Sequence, residues 1–158
     1  MADDRKTIIV FSGDLDKAMA AMIIARGAAA MGNEVTIFFT FWGLNLLRKP
    51  NPPRLKKSFL EGMFGKMMPR GAGKAKLSQL NMGGLGTAMM QYVMKTKNVP
   101  TLAEMIAEAQ ELGVKFIACT MSMDVMGIRK EELVDGLEYA GVATYLGSAD
   151  EANVNLFI

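Results

Sequence analysis

Cys119 is the residue best equipped for covalent chemistry, because the 158-residue chain has one cysteine and no histidine. Without histidine there is no Ser-His-Asp triad within the chain and no Cys/His zinc site. One cysteine makes no internal disulfide, and its solitary state suits a reducing compartment. What remains for a lone thiolate is transfer: it accepts a sulfur atom as a persulfide and passes it to another protein's thiol. Peroxide reduction would need a partner thiol for resolution, and no obvious base lies nearby in sequence. From the residues alone the bland alternative stays open, a cysteine packed as a small buried hydrophobe.

Thr120-Met121-Ser122-Met123-Asp124 follows the cysteine. Ser122 is suited to cap a short helix through Val125 and Met126. A thiol facing such a helix start meets unpaired N–H groups and the positive end of the helix dipole, which stabilise a thiolate. Asp124 is a candidate to position a substrate, and equally suits a surface position on the helix. Ser12, Gly13 and Asp14 are candidates to flank the same cleft, although a turn plus a helix cap also accounts for them.

The elements that must hold these residues read as alternating strands and helices. Thr7–Phe11 is a continuous apolar, β-branched run, as expected of a strand buried on both faces. Leu15–Met31 follows with Leu15, Ala18, Met19, Met22 and Ile23 at helical spacing, Asp14 as N-cap and Gly32 as the residue past its end. Glu34–Thr40 is a second strand, which completes a unit of βαβ size. Thr101-Leu102-Ala103-Glu104 has the capping-box pattern and opens a helix whose Leu102, Met105, Ile106, Ala109 and Leu112 share one face. Val114–Ala118 is the third strand, with Cys119 at its carboxyl end, where open α/β sheets gather their ligands. The pattern further predicts a helix over Glu131–Ala140, a fourth strand over Val142–Leu146, a short helix starting at Ser148, and an edge strand over Asn155–Ile158. The expected class is α/β, with a mainly parallel sheet of four or five strands and helices on both faces.

The middle of the chain has a different composition. Arg48 to Lys76 holds nine basic residues (Arg48, Lys49, Arg54, Lys56, Lys57, Lys66, Arg70, Lys74, Lys76) and one acid, Glu61. The segment therefore carries +8 and the remainder −6, although the whole chain is only +2. That small total gives no reason to expect nucleic acid as a partner. Residues 48–82 read as a basic, Met-rich insertion within a single α/β domain spanning 1–158. It has three readings: a solvated loop, a dock for an acidic partner or an anionic membrane surface, or a lid or subunit contact over the Cys119 end of the sheet.

Two glycine-rich pieces bear on phosphate binding. Gly71-Ala72-Gly73-Lys74-Ala75 fails the P-loop pattern, having no Ser or Thr after the lysine. Gly83-Gly84-Leu85-Gly86 follows no clear strand and reads better as a hinge into a helix over Met89–Lys95 than as a dinucleotide fingerprint. No metal or other cofactor is expected. The charged start, Met1-Ala2-Asp3-Asp4-Arg5-Lys6, lacks a signal-peptide layout, and no window reaches about 18 uncharged apolar residues. A cytoplasmic location is the expectation.

Ile117-Ala118-Cys119-Thr120-Met121-Ser122-Met123-Asp124-Val125-Met126-Gly127-Ile128 resembles the signature of the DsrE/DsrF-like family, in its methionine-rich "peroxiredoxin-like" branch. Phe64-Gly65-Lys66-Met67-Met68-Pro69, Asn81-Met82-Gly83-Gly84 and the tail from Ala140 to Ile158 are similar to further blocks of that branch. The resemblance implies a three-layer α/β/α sandwich, a homo-oligomer, and a sulfurtransferase or sulfur-carrier role beside rhodanese-like or small sulfur-carrier partners. The family's sulfur-accepting cysteine maps onto Cys119. Some relatives carry a second cysteine that this chain lacks, so a two-thiol mechanism does not transfer. The alternative is a non-catalytic nucleotide- or partner-binding module in which Cys119 is structural.

Overall fold

A computed structural model describes residues 4–158; the first three residues of the charged start lie outside the described residues. Five strands, β1 (Arg5–Val10), β2 (Glu34–Phe39), β3 (Lys115–Cys119), β4 (Glu138–Ala140) and β5 (Val154–Phe157), form one sheet in the order β4-β3-β2-β1-β5. Every neighbouring pair is parallel. The expected parallel α/β architecture is therefore present, and all strands end at one edge of the sheet.

Side-chain alternation along the strands divides the core in two. Ile8, Val10, Ile37, Phe39, Phe116 and Ala118 point to one face. There they meet helix α1 (Leu15–Ala30) through Leu15, Ala18 and Met22, and helix α4 (Leu102–Glu111) through Leu102, Met105 and Ala109. Ile23, expected inward, is 54% exposed, because small alanines line the buried stripe of α1 instead. The capping box on α4 is present: the Thr101 hydroxyl accepts from the Glu104 N–H, and the Glu104 carboxylate accepts from the Thr101 N–H. On the opposite face Phe38, Ile117 and Cys119 meet helix α6 (Val142–Asp150).

The last quarter of the chain departs from its sequence pattern. No helix covers Glu131–Ala140. A short 3-10 turn at Lys130–Glu132 is followed by an antiparallel bridge from Leu133 to Arg48, a turn at Gly136 with φ 80°, and then β4. Leu133 and Leu137 do point inward, so the periodicity identified the buried side chains but not the backbone. Val142–Leu146 is helix rather than strand, and Ser148 lies inside α6 rather than at the start of a separate helix. The topology supplies the reason. β4 and β5 occupy opposite edges, so the chain between them must cross the sheet, and α6 is that crossing.

Residues 48–82 contain helix α2 (Phe59–Met67), a 3-10 turn at Ala72–Lys74 and a turn into helix α3 (Leu85–Thr96). They are fastened to the sheet's carboxyl edge and are not a solvated loop. The Gly71 N–H donates to the Asn45 carbonyl, and the Leu15 N–H to the Lys76 carbonyl. The glycines before α3 serve this turn. Gly83 and Gly84 have φ of 68° and 102°, and a Cβ on Gly86 would stand 1.6 Å from the Leu80 carbonyl oxygen. Helix α3 is also longer than the predicted Met89–Lys95, since the turn delivers Leu85 directly into it.

Candidate functional site

Cys119 ends β3 and is the N-cap of the short helix α5 (Thr120–Met126). Its alternation places the thiol on the α6 face, the same side as Ile117. There it is 3% exposed, in a cluster with Phe38, Ile117 and Tyr145. Tyr145 is the one buried residue of α6. Its ring stacks on Phe38 at 5.2 Å, and its hydroxyl lies 3.2 Å from Thr7 Oγ1. One side chain thus reaches from β2 to β1 within the cluster that buries the sulfur. Sequence reasoning missed Tyr145, because the apolar run around it read as a strand.

The other candidate residues are distributed along the carboxyl edge and do not share one cleft. Ser122 is the third residue of α5 rather than its cap; it is fully buried, and its hydroxyl lies 2.8 Å from Thr40 Oγ1 at the end of β2. That contact ties the segment after Cys119 to the neighbouring strand. Thr120 and Asp124 line a cavity of about 510 Å³ with Glu61, Arg129 and Lys130. Ser12, Gly13 and Asp14 line a separate cavity of about 400 Å³ with Phe11, Lys17 and Trp42. Cys119 lines neither of these two cavities. Because β2 lies between β1 and β3, the two sets are about 10 Å apart across the sheet. Asp14 occupies the N-cap position of α1 but makes no side-chain cap bond; its carboxylate pairs with Lys17 Nζ at 3.2 Å. Ser12 Oγ instead accepts the Asp14 N–H at 3.1 Å. Gly13 is required there, since a Cβ would stand 2.8 Å from the Trp42 carbonyl oxygen.

A buried ionic cluster holds the basic segment against the loop after α5. Glu132, almost fully buried, accepts from Lys57 Nζ at 2.5 Å and from the Arg129 N–H at 2.8 Å. Arg48 and Arg70 approach the same carboxylate at 3.9 and 3.7 Å. Lys57 Nζ also donates to the Gly127 carbonyl at 2.7 Å, and Arg48 Nη2 donates to the Gly65 carbonyl at 3.1 Å. Burial by itself pushes the Glu132 carboxyl up, but the Lys57 and Arg129 hydrogen bonds and the Lys57 and Arg48 charges outweigh it and hold the group below the usual carboxylate range. Part of the charge that made the segment look solvated is therefore internal. Among the described residues no three His, Cys, Asp or Glu side chains gather in a way that could hold a metal ion.

A parallel α/β sheet with one thiol at a strand's carboxyl end, under a crossing helix, defines the class of protein. The chain belongs to the DsrE/DsrF/DrsH-like family, whose profile matches residues 2–157. It is 60% identical over 154 residues to the uncharacterized protein YrkE of Bacillus subtilis (strain 168), covering 98% of this chain and 96% of that one. It is 41% identical to the sulfur carrier protein DsrE2 of Allochromatium vinosum, over 100% of both chains. Two solved structures share the fold. The ychN protein of E. coli has a TM-score of 0.56 at 12% identity, covering 98% of this chain and 99% of that one. MTH1491 of Methanobacterium thermoautotrophicum, a protein of unknown function, has a TM-score of 0.58 at 14% identity with the same coverage. No helix among the described residues is long and apolar enough to cross a membrane.

Proposed function

We propose that this protein is a sulfur carrier that holds sulfane sulfur as a persulfide on Cys119. The observation that carries the reading is the lone thiol at the carboxyl end of β3, in a chain 41% identical from end to end to a protein named as a sulfur carrier. The chemistry balances with two proteins and no external oxidant. The Cys119 thiolate attacks the terminal sulfur of a donor persulfide, the donor's S–S bond breaks, a new S–S bond forms on Cys119, and the donor leaves as a thiolate. An acceptor thiolate then attacks the outer sulfur and regenerates Cys119. Rhodanese-like proteins or small sulfur carriers in the cytoplasm suit the two partner roles. Thr120, Ser122 and Asp124 are proposed to shape the approach to the thiol. Ser12, Gly13 and Asp14, in the neighbouring cavity, are proposed to contact a partner. Because the thiol is only 3% exposed, loading requires the packing around it to open.

Intact-mass measurement after incubation with a polysulfide donor is the test. Wild type is expected to gain the mass of one or more sulfur atoms and Cys119→Ala none. An equal adduct on both, or none on wild type, would sink the proposal. The burial of Cys119 favours a second reading, a partner-binding module in which the thiol is a packing residue. That reading predicts no adduct on wild type and lower stability, without other loss, in Cys119→Ala.

A further inference from the structure

Helix α2 is turned inside out relative to an ordinary surface helix. At about 100° per residue, Phe59, Met63, Met67, Leu60 and Phe64 follow one another around a continuous arc of about 140°. All five side chains are exposed, Phe59 at 84% and Met67 at 73%. The side turned toward the protein carries Gly65, the only buried residue of the helix. There the buried Arg48 guanidinium donates to the Gly65 carbonyl. The helix start is fixed by the Ser58–Glu61 capping box. The protein therefore spends a cap and a buried arginine on holding α2 with its apolar arc outward.

Charge decides what that arc meets. Lys66 on the helix and Arg54 and Lys56 in the segment just before it are exposed and enter no ion pair among the described residues. The one acid between positions 48 and 76, Glu61, is committed to the cap. A second copy docked face to face would set the same three cations against their equals. The arc is also convex, offering no groove for a partner helix. A bilayer with anionic headgroups answers both features, accepting the aromatic and aliphatic side chains at the acyl boundary and the Lys and Arg side chains among the phosphates. We propose that α2 lies in the surface of an anionic membrane, docking the protein there without spanning it.

The proposal is independent of the thiol chemistry, so Cys119→Ala is expected to bind vesicles as wild type does. The experiment is co-sedimentation with phosphatidylcholine–phosphatidylglycerol vesicles and with pure phosphatidylcholine vesicles. Wild type is expected to partition onto the mixed vesicles at least about tenfold better than onto the neutral ones, and less well at high salt. The double variants Phe59→Ser/Phe64→Ser and Lys56→Glu/Lys66→Glu change only exposed side chains, and circular dichroism checks that they fold. Each is expected to lose about tenfold or more in partition. Absence of binding, equal binding to neutral vesicles, or binding that survives both variants overturns the proposal. So does a drop in oligomer mass in Phe59→Ser/Phe64→Ser with vesicle binding unchanged, which would assign the face to a protein contact.

Discussion

Tyr145 is the buried residue of α6, packed in the same cluster as the sulfur. Its ring stacks on Phe38 beside Ile117 and Cys119 in one cluster, and its hydroxyl lies against Thr7 on the far side of β2. If the ring is the barrier, removing it exposes the thiol while leaving the strand that carries it. Tyr145→Ala is expected to raise the rate of Cys119 modification by an aromatic disulfide reagent about tenfold or more, and to lower stability by about 3 kcal/mol. Tyr145→Phe keeps the ring and loses only the Thr7 contact, so it should react at nearly the wild-type rate and lose about 1 kcal/mol. Equal rates in the alanine variant and wild type would show that α6 does not limit access.

At the scale of elements, the buried Glu132 joins the basic segment to the loop that leads from α5 to β4. Its carboxyl is held below its unfolded value of about 4.3, so its contribution is complete above that value and is lost as pH falls through the lower folded one. Glu132→Gln leaves Arg48 buried without its counter-charge and is expected to cost about 3 kcal/mol at pH 7. The variant should also lose less stability than wild type between pH 7 and about pH 3, which spans the fall below the unfolded value. Urea melts at the two pH values measure both effects, and an unchanged acid slope would remove Glu132 as the latch. The same residues show where the sequence was legible. β1, α1, β2, α4 and β3 could be read because hydrophobic period and caps agree there, as at Thr101 and Glu104. Glu131–Ala140 misled because Leu133, Val134 and Leu137 recur at helical spacing, while the backbone is set by long-range partners, Arg48 above all. A buried glutamate among cations 62 to 84 positions away leaves no local signal. Cys119 itself was legible at its strand end, but its cover was not, since a β-branched and aromatic run that must cross the sheet adopts a helix.

The whole molecule exposes more surface than a compact monomer of its size. A 17.2 kDa globular chain is expected to show about 7,800 Å², whereas this one shows 9249 Å². The surplus exceeds the roughly 800 Å² per partner of a standard protein interface. Helix α2 accounts for part of it, and α3 for another part of different character. Leu85, Met89, Tyr92 and Val93 recur at i, i+4, i+7 and i+8 and are all exposed. No charge interrupts that stripe, so two copies can meet along it without the repulsion that α2 would suffer. Methionine tolerates the imperfect fit of such a seam. We therefore expect the protein to be a homo-oligomer joined through α3, with the α2 arcs left free on its surface. Light scattering should return a multiple of 17.2 kDa. The double variant Met89→Glu/Val93→Glu places like charges in the seam and should return the monomer mass, with the far-UV spectrum retained. Vesicle binding should then weaken but persist, since each protomer keeps one α2 while avidity is lost. A wild-type monomer, or an oligomer that withstands both glutamates, would place the contact elsewhere.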